Sequence, residues 1–237
     1  MSTLDDPDEV HVWRFRLDVA SGELAQLNAT LHPAERERAA RFRTGTLRDR
    51  FVAGRGRLRE ILATYLGCTP GELDFSYGPQ GKPALHPACG LEFNLSHSAD
   101  VAILGVTRGT PLGVDVERVD PLRDVQGILD RFFATGEQAE FHTRPDDDPH
   151  LRFYRGWARK EAFLKALGTG LSTPLDSFEV SLDSSSPQIL RVGDDPAEAE
   201  RWSLRDLDAG PGFAAAAVVR GPISRIVYRD CGGGVCF

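Results

Sequence analysis

One succession of secondary-structure elements is predicted twice along the chain, and this repetition constrains the fold more than any other feature of the sequence. A helix that ends in Leu-Gly, at Leu66-Gly67 and again at Leu167-Gly168, is followed each time by extended segments. Each succession closes with an apolar strand, at residues 101–107 in the first and 213–219 in the second. The repetition predicts two similar halves joined near residues 108–112. Because only the pattern is shared, chance similarity is the alternative explanation.

Local patterns predict both helices and strands. We therefore expect an α+β fold with an N-terminal half at residues 1–110 and a C-terminal half at residues 111–237. Helical spacing of apolar residues extends over residues 33–66, from a proline suited to a helix start to a terminating glycine. The predicted extended segments are residues 10–17, short strands and turns within 70–92, a hairpin formed by 93–97 and 101–107, and a strand beginning at Gly113.

The charge distribution separates one basic segment from an otherwise acidic chain. The 237 residues carry a formal net charge of -7, yet residues 35–60 contain nine arginines against four acidic residues. An acidic chain is not expected to bind nucleic acid, and no apolar run approaches the ~20 residues of a membrane-spanning helix. The first residues lack the basic and apolar regions of a secretion signal, so we expect a cytoplasmic protein without a membrane partner. The basic segment favours binding of one specific anionic ligand.

Residues 112–118 alternate apolar and acidic side chains, as on a half-buried strand. Asp115 and Glu117 therefore share one face, with Cα atoms ~6.5 Å apart, and both carboxylates can reach one hard cation such as Mg²⁺. A strand with a solvated acidic face is the simpler explanation of this pattern taken alone.

The segment from Trp157 to Gly168 has helical spacing and a glycine suited to its C-terminus. Glu161 and Lys165, four residues apart, lie on the same face. An ordinary surface pair, worth only ~0.2–0.5 kcal/mol, explains this spacing equally well.

Two further segments offer donors for an anion. Residues 94–98 place serines beside His97, and Lys82 stands on a turn between Gly81 and Pro83. Either segment is also consistent with an ordinary turn or strand end. A catalytic serine triad around His97 is not supported, because the chain lacks the Gly-x-Ser-x-Gly motif that would present the serine.

The order of these motifs resembles one enzyme family. The five motifs, found over residues 33–178, are Arg41-Phe42 with Arg50, Gly81 to Pro83, Phe93 to Ser98, Gly113 to Glu117, and Trp157 to Lys165 followed by Gly168 to Ser172. Together they resemble the 4′-phosphopantetheinyl transferases of the type that activates surfactin synthetase (Sfp type). Five weak motifs in register are very hard to obtain by chance.

The resemblance implies a pseudo-dimer of two similar α+β halves with the active site in the cleft between them. It implies an Mg²⁺-dependent, or Mn²⁺-dependent, transfer of the 4′-phosphopantetheine arm of coenzyme A to a serine of an apo acyl or peptidyl carrier protein, with release of 3′,5′-ADP. Coenzyme A is then a co-substrate, and we expect the chain to act as a monomer.

The resemblance also implies roles for individual residues. The implied coenzyme A contacts are Arg38, Arg50, Lys82, Pro83, Ser96, His97, Asp115 and Lys165; the implied metal ligands are Asp115, Glu117 and Glu161; the implied catalytic residues are Glu161 and Lys165. Glu35 departs from the family pattern, because the best-known members have a lysine at this position. One phosphate contact is therefore not expected here.

Two other functions fit the same motifs. A binding module would retain coenzyme A without transferring its arm, and it would form no 3′,5′-ADP with any carrier. A metal-dependent phosphohydrolase would use water in place of the carrier serine, and it would cleave coenzyme A without a carrier. The presence of all three acids and of Lys165 favours the transferase.

Overall fold

The computed structural model describes residues 4, 6–121, 123–143, 148–229 and 231. The strands are β1 (Glu9–Arg16), β2 (Asp74–Tyr77), β3 (Pro83–His86), β4 (Leu91–Ser98), β5 (Val101–Arg108), β6 (Leu112–Arg118), β7 (Phe178–Val180), β8 (Ile189–Val192), β9 (Ser203–Asp206), β10 (Phe213–Val219) and β11 (Arg225–Arg229). The helices are α1 (Ser21–Thr30), α2 (Pro33–Ala40), α3 (Gly45–Leu66), α4 (Gln126–Phe132), α5 (Thr135–Thr143), α6 (Pro149–Leu167) and α7 (Pro196–Glu200). Within these ranges, none of the helices has the length and apolar character needed to cross a membrane.

Most predicted elements are confirmed, and the chain has the mixed α+β structure that its patterns predict. The hairpin of β4 and β5 and the apolar strand β10 lie where they were expected. Both Leu-Gly helix ends are present, with Gly67 and Gly168 in the left-handed conformation. The single helix over residues 33–66 is wrong, because the segment divides into α2 and α3. Thr44 begins α3 as its N-cap, where its side chain accepts a hydrogen bond from the Leu47 amide.

Two antiparallel sheets repeat one strand order. The first contains β1-β5-β4 and the second β6-β10-β9, so the chain forms the same arrangement of neighbours twice. For each sheet, one long helix, α3 or α6, lies in the sequence between the first of these three strands and the other two. The strand β11 extends the first sheet by pairing in parallel with β1, so a strand close to the end of the sequence joins the sheet that begins the chain.

Apolar side chains pack in layers around these sheets. The faces of β1 and β5 that carry Trp13 and Leu104 pack against α3, and Ala216 and Val218 of β10 pack against α6. A third apolar cluster joins the opposite faces of the two sheets through residues such as Val12, Ile103 and Val114. Packing of sheet against sheet brings β4 and β6 together, and this contact positions the candidate site.

Candidate active site

A close backbone contact between β6 and α6 forms the base of the site. Gly113 of β6 lies directly against α6, where a Cβ atom would come within 2.0 Å of the Ala162 carbonyl oxygen and 2.3 Å of the Ala166 amide nitrogen. Only a residue without a side chain permits this approach. As a result, Asp115, two residues further along β6, lies beside the last turns of α6.

Asp115 is at the centre of the site. It is only 3% exposed, and its Oδ1 atom accepts hydrogen bonds from Lys165 Nζ at 2.6 Å and from Ser96 Oγ at 2.8 Å. Lys165 Nζ also donates to Ser96 Oγ at 2.8 Å. The three residues come from β6, α6 and β4, so their contacts join both halves of the chain. The strand face carrying Asp115 is therefore buried, and the alternative of a solvated acidic face is wrong for this residue.

The carboxyl groups of Asp115, Glu117 and Glu161 all have raised pKa values. Burial raises the pKa of the Asp115 carboxyl, although Lys165 opposes the shift. Burial and then the charge of Asp115 also raise the pKa values of Glu117 and Glu161. A buried acid whose pKa is raised by a neighbouring acid favours either a proton or an additional cation.

An unpaired oxygen provides an independent reason to consider a cation. Asp115 Oδ2 is buried and has no hydrogen-bond partner among the described residues, an uncommon state for a carboxylate oxygen. Glu117 uses one oxygen to accept from Ser98 Oγ at 3.0 Å. Hard oxygen donors of this kind suit Mg²⁺ or Mn²⁺. Among the described residues, however, no group of three or more His, Cys, Asp or Glu side chains is arranged to hold a metal ion. The donor chemistry fits a divalent metal.

A cavity of about 260 Å³ opens next to these acids. It is lined by Glu161 and Lys165 of α6, by Asn94 and Leu95 of β4, and by residues 80–83 at the turn leading into β3. The lining thus comes from both halves of the chain. Lys82 and Pro83, predicted to bind the ligand, are part of this wall.

The residues predicted to bind phosphate differ in their contacts and in their exposure. Arg50 donates to both carboxylate oxygens of Asp18, at 2.6 and 2.7 Å. His97 follows Ser96 on β4, and partial burial, then the charges of Lys165 and Arg50, lower the pKa of its imidazole. Arg38 is exposed on α2 with its guanidinium over the Phe51 ring. Among the described residues, no hydrogen bond or ion pair joins Arg38 to the three acids of the site.

Glu35, the position at which the resemblance implies a lysine in other proteins, has a structural contact. It is buried and accepts hydrogen bonds from Arg59 Nε at 2.7 Å and from Arg55. Burial alone would raise the pKa of the Glu35 carboxyl, but these two guanidinium groups hold it below its usual value. Two of the nine arginines in the basic segment thus share one buried carboxylate and are not directed at a ligand.

Several contributing residues were not singled out from the sequence. Ser98 bonds Glu117, Asn94 Oδ1 accepts from the Val114 amide at 2.8 Å, and Asp18 pairs with Arg50. Ser98 and Asn94 lie within a segment that was noted, so alternation along β4 could have identified them. The contact between Asp18 and Arg50 spans 32 positions and leaves no local pattern.

Comparisons with known proteins match two parts of the chain to models of one family. Residues 111–218 match the model of the 4′-phosphopantetheinyl transferase superfamily, and residues 18–108 match that of the 4′-phosphopantetheinyl transferase N-terminal region.

Curated relatives share most of the chain. The 4′-phosphopantetheinyl transferase HetI of Nostoc sp. is 40% identical over 217 residues, which cover 90% of this chain and 89% of that protein. A phosphopantetheinyl transferase of Thraustochytrium sp. is 32% identical over 76% of this chain and 68% of its own length. The 4′-phosphopantetheinyl transferase Sfp of Bacillus subtilis is 28% identical over 84% of this chain and 89% of that protein. The chain is therefore an enzyme of the 4′-phosphopantetheinyl transferase superfamily, of the Sfp type.

Proposed function

We propose that this enzyme transfers the 4′-phosphopantetheine arm of coenzyme A to a serine of an apo acyl or peptidyl carrier protein, in a reaction that requires Mg²⁺ and releases 3′,5′-ADP. The observation that carries the proposal is the contact of Lys165 with Asp115 and Ser96, next to two further acids and an open cavity. Membership of the superfamily defines the reaction class, and this cluster supplies the groups that the reaction needs.

The repeated strand order supports a pseudo-dimer with the active site in its cleft. In this proposal, residues 1–110 form the half that binds most of coenzyme A, and residues 111–237 form the half that holds the metal and the catalytic helix. The cavity lined from both halves is the proposed cleft. A monomer is then complete, because one chain contributes both sides of the site.

Asp115, Glu117 and Glu161 are the proposed metal ligands. Their raised pKa values and the unpaired Oδ2 atom of Asp115 are the observations in favour. Bound Mg²⁺ or Mn²⁺ would supply a Lewis acid that neutralises the pyrophosphate. Since Lys165 contacts Asp115, its ammonium stabilises the buried carboxylate and lies beside the position proposed for the phosphates.

Glu161 and Lys165 are the proposed catalytic residues. Glu161 has no hydrogen bond to another described side chain, and its raised pKa makes it a stronger base. It would take the proton of the carrier serine, directly or through a water molecule, as the serine oxygen attacks the β-phosphate. Lys165 would neutralise the charge that develops on the leaving 3′,5′-ADP.

Coenzyme A is proposed to lie across the first half. Arg50 and Arg38 would hold its 3′-phosphate end, while Ser96 and His97 would contact the pyrophosphate. Lys82 and Pro83 are included because both line the cavity, and no contact of the Lys82 ammonium with a phosphate is required. The guanidinium of Arg50 is paired with Asp18, so the 3′-phosphate would compete with this carboxylate.

The test is incubation with coenzyme A, Mg²⁺ and a panel of apo carrier domains, followed by intact mass measurement. We expect a gain of ~340 Da on one carrier serine, the mass of the transferred arm, together with 3′,5′-ADP. Excess chelator should prevent the gain. The Glu161→Gln variant should lack activity, whereas Glu200→Gln, which alters an exposed acid on α7, should retain it.

Two results would contradict the proposal. Cleavage of coenzyme A at the same rate without a carrier would identify a phosphohydrolase. Binding of coenzyme A with no 3′,5′-ADP from any carrier in the panel would identify a binding module.

A further inference from the structure

Lys82 contacts the second half of the chain through backbone oxygens. Its Nζ atom donates to the Lys165 carbonyl at 2.7 Å and to the Leu112 carbonyl at 2.8 Å. The residue itself comes from the turn between β2 and β3, 83 positions before Lys165. One ammonium group thus joins the β2–β3 hairpin, the start of β6 and the end of α6.

The helix end explains why a cation binds there. The last four carbonyls of a helix lack intrahelical partners, and the negative end of the helix dipole attracts positive charge. The carbonyl of Lys165 lies in this last turn, because α6 ends at Leu167 and the Gly168 amide bonds the Leu164 carbonyl. Lys82 therefore supplies a charged donor to an oxygen that would otherwise depend on water.

The two bonded carbonyls belong to the elements that carry the candidate chemistry. Lys165 presents its own ammonium to Asp115 and Ser96, and Leu112 is three residues before Asp115 on β6. Movement of either backbone segment would change the distance between Lys165 and Asp115. Burial lowers the pKa of the Lys82 ammonium, as expected for a group held among backbone atoms.

We propose that Lys82 is a positioning residue, which fixes the end of α6 and the start of β6 against the hairpin and thereby places Lys165 for phosphoryl transfer. This role rests on the proposed function, and it does not require contact between Lys82 and a phosphate. It accounts for a lysine in a turn that the resemblance assigns to ligand binding.

The first experiment measures hydrogen exchange without substrates in Lys82→Met, Lys82→Arg and the unaltered enzyme. The Met variant should show faster amide exchange in peptides covering residues 162–168 and 112–118, because both carbonyl contacts are lost. Lys82→Arg should restore much of the protection, since a guanidinium can donate to both oxygens. Arg108→Met is the matched control, because it removes a cation that donates to a backbone carbonyl, that of Leu4, away from the cleft.

The second experiment separates positioning from ligand contact. We expect Lys82→Met to lower kcat about tenfold or more, as small misplacement of a reacting group does, with the Kd for 3′,5′-ADP changed less than about threefold. Lys82→Arg should recover most of kcat. A large rise in Kd with unchanged kcat would overturn the proposal in favour of direct phosphate binding.

The two experiments remain distinct from the test of the proposed function. If the unaltered enzyme modified no carrier, the proposed function would fail, while hydrogen exchange would still report on the contact. Unchanged exchange in both peptides of Lys82→Met would overturn the positioning role whatever the activity. If Lys82→Met does not fold, Lys82→Gln, which keeps one donor group, replaces it in both measurements.

Discussion

At the level of single residues, the contacts of Lys165 decide between two explanations of one helix. Their spacing alone predicts that Glu161 and Lys165 form an ordinary surface pair. The ammonium instead bonds Asp115 at 2.6 Å and Ser96 at 2.8 Å, on elements of two different halves. These contacts join Lys165 to a buried acid on another element, and helix stability alone does not require them.

We expect Glu161→Gln and Lys165→Met each to lower kcat by roughly 10²-fold or more, the range for loss of an acid-base or electrostatic group. Coenzyme A should still bind Lys165→Met, although more weakly, because Arg50 and His97 remain. The measurement is kcat with a saturating apo carrier, together with the Tm of each variant. If both variants have a kcat close to that of the unaltered enzyme, Glu161 and Lys165 contribute to helix stability and not to catalysis.

Arg50 allows a prediction about ligand recognition. If it pairs with the 3′-phosphate, Arg50→Ala should weaken coenzyme A binding by roughly 1.5–3 kcal/mol, the value of a charge-assisted hydrogen bond, and change dephospho-coenzyme A binding little. Calorimetry with both ligands measures the difference.

Asp18→Asn is the control for Arg50. It removes the competing carboxylate and keeps the guanidinium, so coenzyme A should bind as tightly as before or more tightly. Equal losses for both ligands in Arg50→Ala would make Arg50 a structural residue.

Sequence reasoning identified the residue types of the site better than their contacts. Periodicity placed the paired acids on one strand face and Glu161 with Lys165 on one helix face, and the resemblance implied their roles. The partners of Lys82 and Glu35 could not be found in this way, since they lie 30 and 20 or more positions away. Contacts across the fold depend on packing, and no local pattern encodes them.

At the level of elements, the contact between β6 and α6 is the feature on which the site depends. A methyl group on Gly113 would collide with backbone atoms of α6. Unlike side-chain atoms, these backbone atoms cannot avoid the contact by rotation about a side-chain bond. Gly113→Ala should therefore destabilise the enzyme by about 3 kcal/mol or more, or move β6 away from α6. Denaturant unfolding gives the stability, and kcat reports the separation of Asp115 from Lys165.

Gly22→Ala provides the comparison for this prediction. Gly22 lies in the first turn of α1, and a Cβ atom there would meet nothing within 4 Å. The substitution should be neutral or stabilise by about 0.4–1 kcal/mol, because alanine reduces the freedom of the unfolded chain. Similar stability for both alanine variants would show that the approach of β6 to α6 is not tight.

Element boundaries were predicted less well than element types. The break between α2 and α3 was missed because helical periodicity continues through Arg41 and Phe42, and the capping role of Thr44 was overlooked. The hairpin of β4 and β5 was found because its turn residues and its alternation agree.

For the whole molecule, a buried polar cluster connects the start of the sequence with β11 and α3. His11 of β1 is fully buried; its Nδ1 atom is 2.6 Å from Tyr65 Oη, and its Nε2 atom is 2.6 Å from Glu9 Oε1. Arg225 and Arg229 of β11 contact Glu9 and His11. This long-range closure was not foreseen, because strand pairing over more than two hundred residues has no local signal.

The charge state of His11 should make stability depend on pH. Burial lowers the pKa of its imidazole below 6.5, and the charge of Arg229 acts in the same direction. As the pH falls, the unfolded chain therefore takes up a proton on His11 before the folded enzyme does. The contribution of His11 to the free energy of unfolding is complete above the unfolded pKa of ~6.5 and is lost as the pH falls below that value. The cleft acids, whose pKa values are raised, act in the opposite direction, so the contribution of His11 must be isolated by substitution.

We expect the Tm difference between the unaltered enzyme and His11→Gln to shrink as the pH is lowered from 7.5 to 5.5, because the glutamine cannot titrate. His142→Gln, measured at the same pH values, is the control, because it removes a histidine that is exposed on α5. It should leave most of the pH dependence in place. A Tm difference for His11→Gln that stays constant over this range would mean that the cluster holds β1 and β11 together without coupling folding to protonation.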